Sequence, residues 1–315
     1  MKTVCVPVGC RSDAGLSAPI IKGLKEQDWC ECQVVQLEPQ QFIPSYQLMD
    51  CVCKGYRHIG NHNAKKPDLV FITGDRVEQC AAAAAAFHNQ IKIAHYGAGV
   101  VNYPLTTYDD VDRHQITLWS DLQFVESEET AEVVWDLKHS VGLKSNMHLV
   151  GIPHLDDLEV DISKIPYQQV CEPNEDEERK TGFYKYDVLI PYDLVLYNTP
   201  TIGDCSKDIA SIRDLISNSY SVLIGGNPDG DDADDKLSVC VDEYYPDLPR
   251  AQFFGLLKNC QRFITNSSAA IYEAPHFLKP EQIVQIGNRN YNRPRGPFQT
   301  GASDKIVEIL RDYLT

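Results

Sequence analysis

Short runs rich in β-branched residues alternate with helix-like segments along almost the whole chain. That alternation restricts the fold more than any other feature, because it calls for parallel strands layered between helices. The runs at 2–8, 32–37, 68–72, 91–95, 121–125 and 147–150 read as strands, with helices at 15–26, 77–89, 110–118 and 127–139 between them. Six consecutive alanines, Ala81 to Ala86, form the middle of one helix. Alanine has the highest helix propensity and lets a helix lie close to a sheet, so this run reads as packing. From 151 to about 192 the pattern breaks up around a charged run, Asn174 to Lys180. It then resumes with strands near 193–197, 221–225, 238–242, 261–264 and 282–286, and helices at 206–216, 249–258, 267–274 and 302–314. The expectation is an α/β protein of two Rossmann-like halves, 1–158 and 159–315, with a polar linker near 159–192. Two such halves imply a cleft faced by the loops at the carboxyl ends of the strands.

A chain of 315 residues is long enough for two cores. No apolar run approaches the roughly 20 residues of a membrane span, and the N-terminal run lacks the apolar core and cleavage site of a signal peptide. A cytoplasmic protein is therefore expected. The net charge of −16 argues against a nucleic-acid or anionic-membrane surface. It leaves room for a small anionic ligand, since a few arginines and helix ends outweigh the overall field locally. The eleven cysteines are scattered. The pairs Cys30/Cys32 and Cys51/Cys53 have no second pair at zinc-site spacing, so reduced thiols and no metal are expected.

Several segments carry candidate chemistry. At 264–275 an apolar strand runs into Asn266, Ser267 and Ser268, and small residues then open a helix carrying Glu273. Backbone N–H groups and two hydroxyls at a helix start form a natural seat for a diphosphate, and Glu273 is placed to accept from a diol such as ribose. An ordinary serine N-cap explains the same serines. The first βα turn places Arg11 near the cleft, without a G-x-G-x-x-G fingerprint; taken alone, it reads better as a surface arginine. Asp75 ends the third strand, either as an acid, base or anchor or as the N-cap of the next helix. His95 sits on the following turn. Asp109, Asp110, Asp112, Arg113 and His114 cluster at a helix start, where the dipole accounts for part of the acidity. The acidic stretch 227–235 lacks the closing glutamate of an EF-hand and reads as a polar turn. Arg289, Arg293 and Arg295 follow the last strand as an anion clamp or as solvent-facing charges.

Taken in order, the stretches Gly9–Leu16, Gly74–Glu78, Asp109–Thr117, Val150–Pro153, Asn266–Ser268, Glu273–Pro275 and Ile286–Arg289 resemble the hydrolysing UDP-N-acetylglucosamine 2-epimerases. The resemblance spans nearly the whole chain and rests on the ordered set of stretches. It implies two Rossmann-like domains facing across a cleft, the glycosyltransferase-B arrangement. It also implies removal of the proton at sugar carbon 2 with expulsion of UDP through a glycal, then water addition, without a cofactor. A UDP-sugar ligand and a homo-oligomer are implied as well. By position, Asp75 and Asp110 match acidic catalytic residues. Arg11, Ser267, Ser268 and Glu273 match the nucleotide-binding set, supported by Arg113, His114, Asn266 and Arg289. Two departures stand out. The family's glutamate in the turn after the fourth strand is replaced, its places holding Gly97 and Val100, and Asn198 stands where the family has a catalytic histidine. His95 and Tyr96 are the nearby substitutes. The departures imply slow turnover and motivate an alternative reading, a catalytically impaired nucleotide-sugar-binding protein.

Overall fold

The computed structural model describes residues 1–9, 11–37, 66–102, 108–173, 183–200, 203–226, 233–293, 295 and 300–315. The Cys51/Cys53 pair, the charged run 174–180, the first part of the acidic stretch (227–232) and the side chain of Arg11 lie outside the described residues.

The first half is a six-stranded parallel sheet ordered β2-β1-β3-β4-β5-β6. Its strands are β1 (Lys2–Val8), β2 (Cys30–Gln36), β3 (Leu69–Thr73), β4 (Lys92–Tyr96), β5 (Leu122–Val125) and β6 (Met147–Leu149). The helices between them are α1 (Arg11–Lys25), α2 (Val77–His88), α3 (Asp109–Trp119) and α4 (Glu128–Ser140). Helices cover both faces, so every residue of β3 and β5 is buried and the strands read as continuous apolar runs. The alanine run packs α2 directly onto Val70, Ile72 and Ile93.

The second half repeats the plan with five strands, β11-β10-β9-β12-β13. These are β9 (Tyr192–Leu196), β10 (Tyr220–Ile224), β11 (Glu243–Tyr245), β12 (Arg262–Thr265) and β13 (Ile283–Gln285). Its helices are α5 (Ser206–Ile216), α6 (Ala233–Ser238) and α7 (Arg250–Asn259). In both sheets the strand order reverses beside the first strand, between β1 and β3 and between β9 and β12. Open α/β sheets bind ligands at such switch points. The last helix, α8 (Ala302–Leu314), returns to the first half and buries Ile306, Val307 and Leu310 against Val4, Ile20 and Leu24. Asp156 caps it, accepting from the backbone N–H of Gly301 at 2.6 Å and of Ser303 at 2.7 Å.

Three expectations change. The segment 238–242 is not a strand: α6 ends there, its Leu237 buried in the second core while Val239 is exposed, and the strand lies just beyond as β11. The helix expected at 267–274 is a pair of 3₁₀ turns, Ser268–Ala270 and Ala274–His276. Pro275 has no N–H to continue an α-helical ladder, and its ring clashes with the carbonyl four residues back. Finally, the polar linker contains an antiparallel hairpin of β7 (Tyr167–Pro173) and β8 (Phe183–Leu189), whose aromatic and β-branched sequence suits a strand pair.

Candidate active site

The carboxyl ends of β3, β4 and β5 face those of β9 and β12 across a cavity of about 240 Å³. One wall carries Asp13, Asp75, Tyr96, Gly97, Asp109, Arg113, Glu126 and His154. The other carries Asn198, Arg250, Ser267, Ser268, Tyr272, Glu273, Arg289 and Arg293.

Asp75 leaves β3 through Gly74, whose φ of +87° is a conformation glycine adopts without strain. Its carboxylate forms an ion pair with Arg113 of α3, while the N-cap position of α2 is Arg76, with no side-chain capping bond among the described residues. Asp75 is therefore a cleft carboxylate and not the cap of α2. Arg113 is 4% exposed and also donates to the Gly97 carbonyl at 3.0 Å. Burial holds its pKa down to about 9, so it remains a cation at neutral pH. Asp109 also faces the cleft, and burial pushes its carboxyl up to about 6 against the pull of Arg76 and Arg289.

Asp110 is not among the cleft-lining residues. It accepts from Asn102 Nδ2 at 2.7 Å, and Asn102 Oδ1 in turn accepts from Arg293 Nε at 3.0 Å. Asp110 thus reaches the opposite wall only through an intermediary. His95 does not reach the cleft either. Adjacent strand residues point to opposite faces, so Tyr96 lines the cavity while the His95 ring lies 3.1 Å from Thr117 Oγ1 and 3.0 Å from the Gly74 carbonyl. Burial pushes its pKa down to about 4, leaving a neutral structural imidazole. His114 likewise lies outside the cavity lining, its Nδ1 buried without a partner.

On the other wall, Asn266 is a brace. Its side chain accepts from the Asn198 N–H at 2.8 Å and donates to the Asn198 carbonyl at 2.7 Å, joining the loops after β9 and β12. Asn290 holds the same loop, donating to the carbonyls of Asn266 and Ser267 at 2.9 and 3.0 Å. Ser267 and Ser268 are thereby presented to the cavity. Arg289 beside them has a buried Nη1 with no hydrogen-bond partner among the described residues. A buried cationic donor left unpaired is costly, and an anion in the cleft would relieve it. Arg293 joins this wall, whereas Arg295 is exposed and outside the lining. Glu273 Oε1 lies 3.5 Å from Arg250 Nη2 and 3.7 Å from His154 Nε2, and burial raises its carboxyl.

At the two places that the resemblance gives for the family's glutamate, the backbone constrains what could stand there. Gly97 has φ +85°, and a Cβ there would lie 3.3 Å from Arg113 Nη1, so any side chain is strained. Val100 is fully buried and does not line the cavity. Glu126, His154, Arg250 and Tyr272 are the cleft residues that sequence reasoning missed. Glu126 directly follows a strand, which was a usable signal, but it merges with Glu128 and Glu129 into what reads as the acidic start of a helix. Among the described residues, no group of three or more His, Cys, Asp or Glu is placed to hold a metal, and no helix is long and apolar enough to cross a membrane.

A family model described as UDP-N-acetylglucosamine 2-epimerase matches residues 59–311. The UDP-N,N'-diacetylbacillosamine 2-epimerase (hydrolyzing) of Legionella pneumophila is 25% identical over 260 residues, 79% of this chain. The match spans 62% of that relative's own length. The Staphylococcus aureus MnaA structure solved with UDP superposes with a TM-score of 0.70 at 20% identity, covering 100% of this chain and 97% of the other. The Neisseria meningitidis UDP-GlcNAc 2-epimerase bound to UDP-GlcNAc gives 0.69 at 18% identity, covering 99% and 100%. These likenesses establish the glycosyltransferase-B-like fold, and with the family match over most of its length the chain belongs to the UDP-N-acetylglucosamine 2-epimerase family.

Proposed function

We propose that the protein is a UDP-sugar 2-epimerase acting on a 2-acetamido sugar, releasing UDP by proton removal at carbon 2. The observation that carries this reading is the buried Arg289 Nη1, without a hydrogen-bond partner among the described residues, beside the braced Ser267–Ser268 loop and opposite a wall of carboxylates. A diphosphate leaving group needs preorganised donors where its charge develops, and Ser267, Ser268 and Arg289 supply them. Glu273 is assigned to the ribose, with Asn198 at the sugar side of the same loop pair. The sugar then faces Asp75, Asp109 and Glu126, the carboxylates able to take up a proton from carbon 2. Water addition to the resulting glycal gives the hydrolysing outcome, which the Legionella relative's name also carries. Self-association into a homo-oligomer belongs to the same reading and is checked by sedimentation.

The test is a panel of UDP-, GDP- and CMP-sugars assayed for nucleotide release. UDP-linked 2-acetamido sugars should be consumed with release of UDP and appearance of the 2-epimer. Tight UDP binding with no turnover of any member would contradict the enzymatic reading and leave a binding protein.

A further inference from the structure

Glu126 is the first residue beyond β5, on the same carboxyl edge as Asp75 and Gly97, and it is 8% exposed. Two tyrosine hydroxyls fix its carboxylate. Tyr96 donates to Oε1 at 3.2 Å from the same sheet, and Tyr272 donates to Oε2 at 2.6 Å from the opposite wall. Burial raises both phenols, so each stays a neutral donor.

Of the other cleft carboxylates, Asp109 lies under the pull of Arg76 and Arg289, and the remaining three are committed to partners. Asp75 is ion-paired with Arg113 and Glu273 with Arg250. Asp13 accepts from the Gly9 N–H at 3.3 Å and from Gln79 at 3.2 Å. Glu126 has no ion pair among the described residues. Its anionic oxygens each keep a lone pair beyond the one used by a tyrosine. Positive charge stands one hydroxyl away, where Arg293 Nη1 lies 3.3 Å from the Tyr272 oxygen. The Tyr272 ring is itself held edge-on by His154, with centroids 5.6 Å apart at 79°, and among the described residues neither nitrogen of that buried imidazole is hydrogen-bonded. A carboxylate oriented by neutral donors and not neutralised by a cation is the best-suited proton acceptor in this cavity.

We propose that Glu126 is the catalytic base that removes the carbon-2 proton, with Tyr272 as its positioning residue; this rests on the 2-epimerase reading above. The proton moves from carbon 2 to a Glu126 oxygen. The C–H electron pair becomes the C1=C2 bond, and the C1–O bond breaks with its pair leaving on the β-phosphate oxygen of UDP. Water then adds across the double bond, oxygen to carbon 1 and hydrogen to carbon 2, and Glu126 returns its proton to solvent. This places a base in the cleft even though position 97 cannot carry one without strain.

The experiment measures solvent-deuterium entry at carbon 2 of a UDP-2-acetamido sugar, together with UDP affinity, for wild type, E126Q, E126D and Y272F. Loss of a general base should slow E126Q by ~10²–10⁴-fold at nearly unchanged UDP affinity. Y272F should lower kcat with little change in KM and shift the acid limb of the pH profile, which a purely structural contact between the walls would not do. If E126Q fails to fold, as loss of UDP affinity would reveal, E126D carries the comparison: it keeps the charge, withdraws it from carbon 2 and should slow exchange in the same direction. An active wild type with undiminished exchange in E126Q, or in E126D where that variant carries the comparison, overturns this assignment alone. Absence of exchange in the wild type overturns the epimerase reading and the assignment with it.

Discussion

Arg113 remains a buried cation because Asp75 and the Gly97 carbonyl accept from its two terminal nitrogens. Asp75→Asn removes the charge that compensates it and should destabilise the fold by ~3 kcal/mol, the usual cost of breaking a buried pair. A denaturant midpoint unchanged from wild type would show that Arg113 needs no counter-charge. His95 makes the opposite kind of contribution. Burial lowers its folded pKa to about 4 from the usual 6.5 of a histidine, so the native state binds fewer protons between those values. The stability it confers is fully present above pH ~6.5 and is lost as pH falls through ~4, a swing of ~3 kcal/mol. Asp109 and Asp112, pushed up to about 6 by burial, titrate with the opposite sign over part of that window. The comparison of wild type with His95→Gln isolates the histidine: their stability difference by urea unfolding should rise from pH 4 to 6.5. A difference independent of pH would contradict a neutral buried ring.

The elements that build the cleft were mostly legible from hydrophobic alternation, because buried parallel strands leave short apolar runs that helices separate. The helices at 206–216 and 302–314 coincide with α5 and α8. What alternation could not express was local backbone chemistry. Pro275 replaces a helix by two 3₁₀ turns, so the Ser267–Ser268 loop is shaped by its own Asn266, which ties it to Asn198, and by the Asn290 side chain from further along the chain, and not by an α-helix N-terminus. Strand direction was equally hidden, and it is what separates Tyr96, in the cleft, from His95, behind the sheet. Ser267→Ala with Ser268→Ala should weaken UDP binding by roughly 1–3 kcal/mol, two hydrogen bonds to a charged group being lost. Calorimetry giving wild-type affinity would remove this loop from the diphosphate site.

The two halves are tied together at several points. Asp156 of the first half caps α8. Arg250 of the second donates to the Gly15 and His154 carbonyls at 3.2 and 2.6 Å. Inside the cleft, Tyr272 bonds Glu126 and Arg293 bonds Asn102. The cavity of about 240 Å³ falls below the ~300–1,000 Å³ of ordinary small-molecule sites. Admitting a nucleotide-sugar therefore calls for a wider cleft than this structure shows, and the assignment of Tyr272 as a positioning residue requires its bond to Glu126 to stand in that wider cleft.

Carbon-2 proton chemistry in that cleft is tested most directly by one experiment. The protein is incubated with UDP-N-acetylglucosamine in D₂O, and the products are read by proton and phosphorus NMR. The expected result is free UDP together with N-acetylmannosamine carrying deuterium at carbon 2. Unconsumed UDP-N-acetylglucosamine that keeps its carbon-2 proton, in a sample that binds UDP, would contradict it.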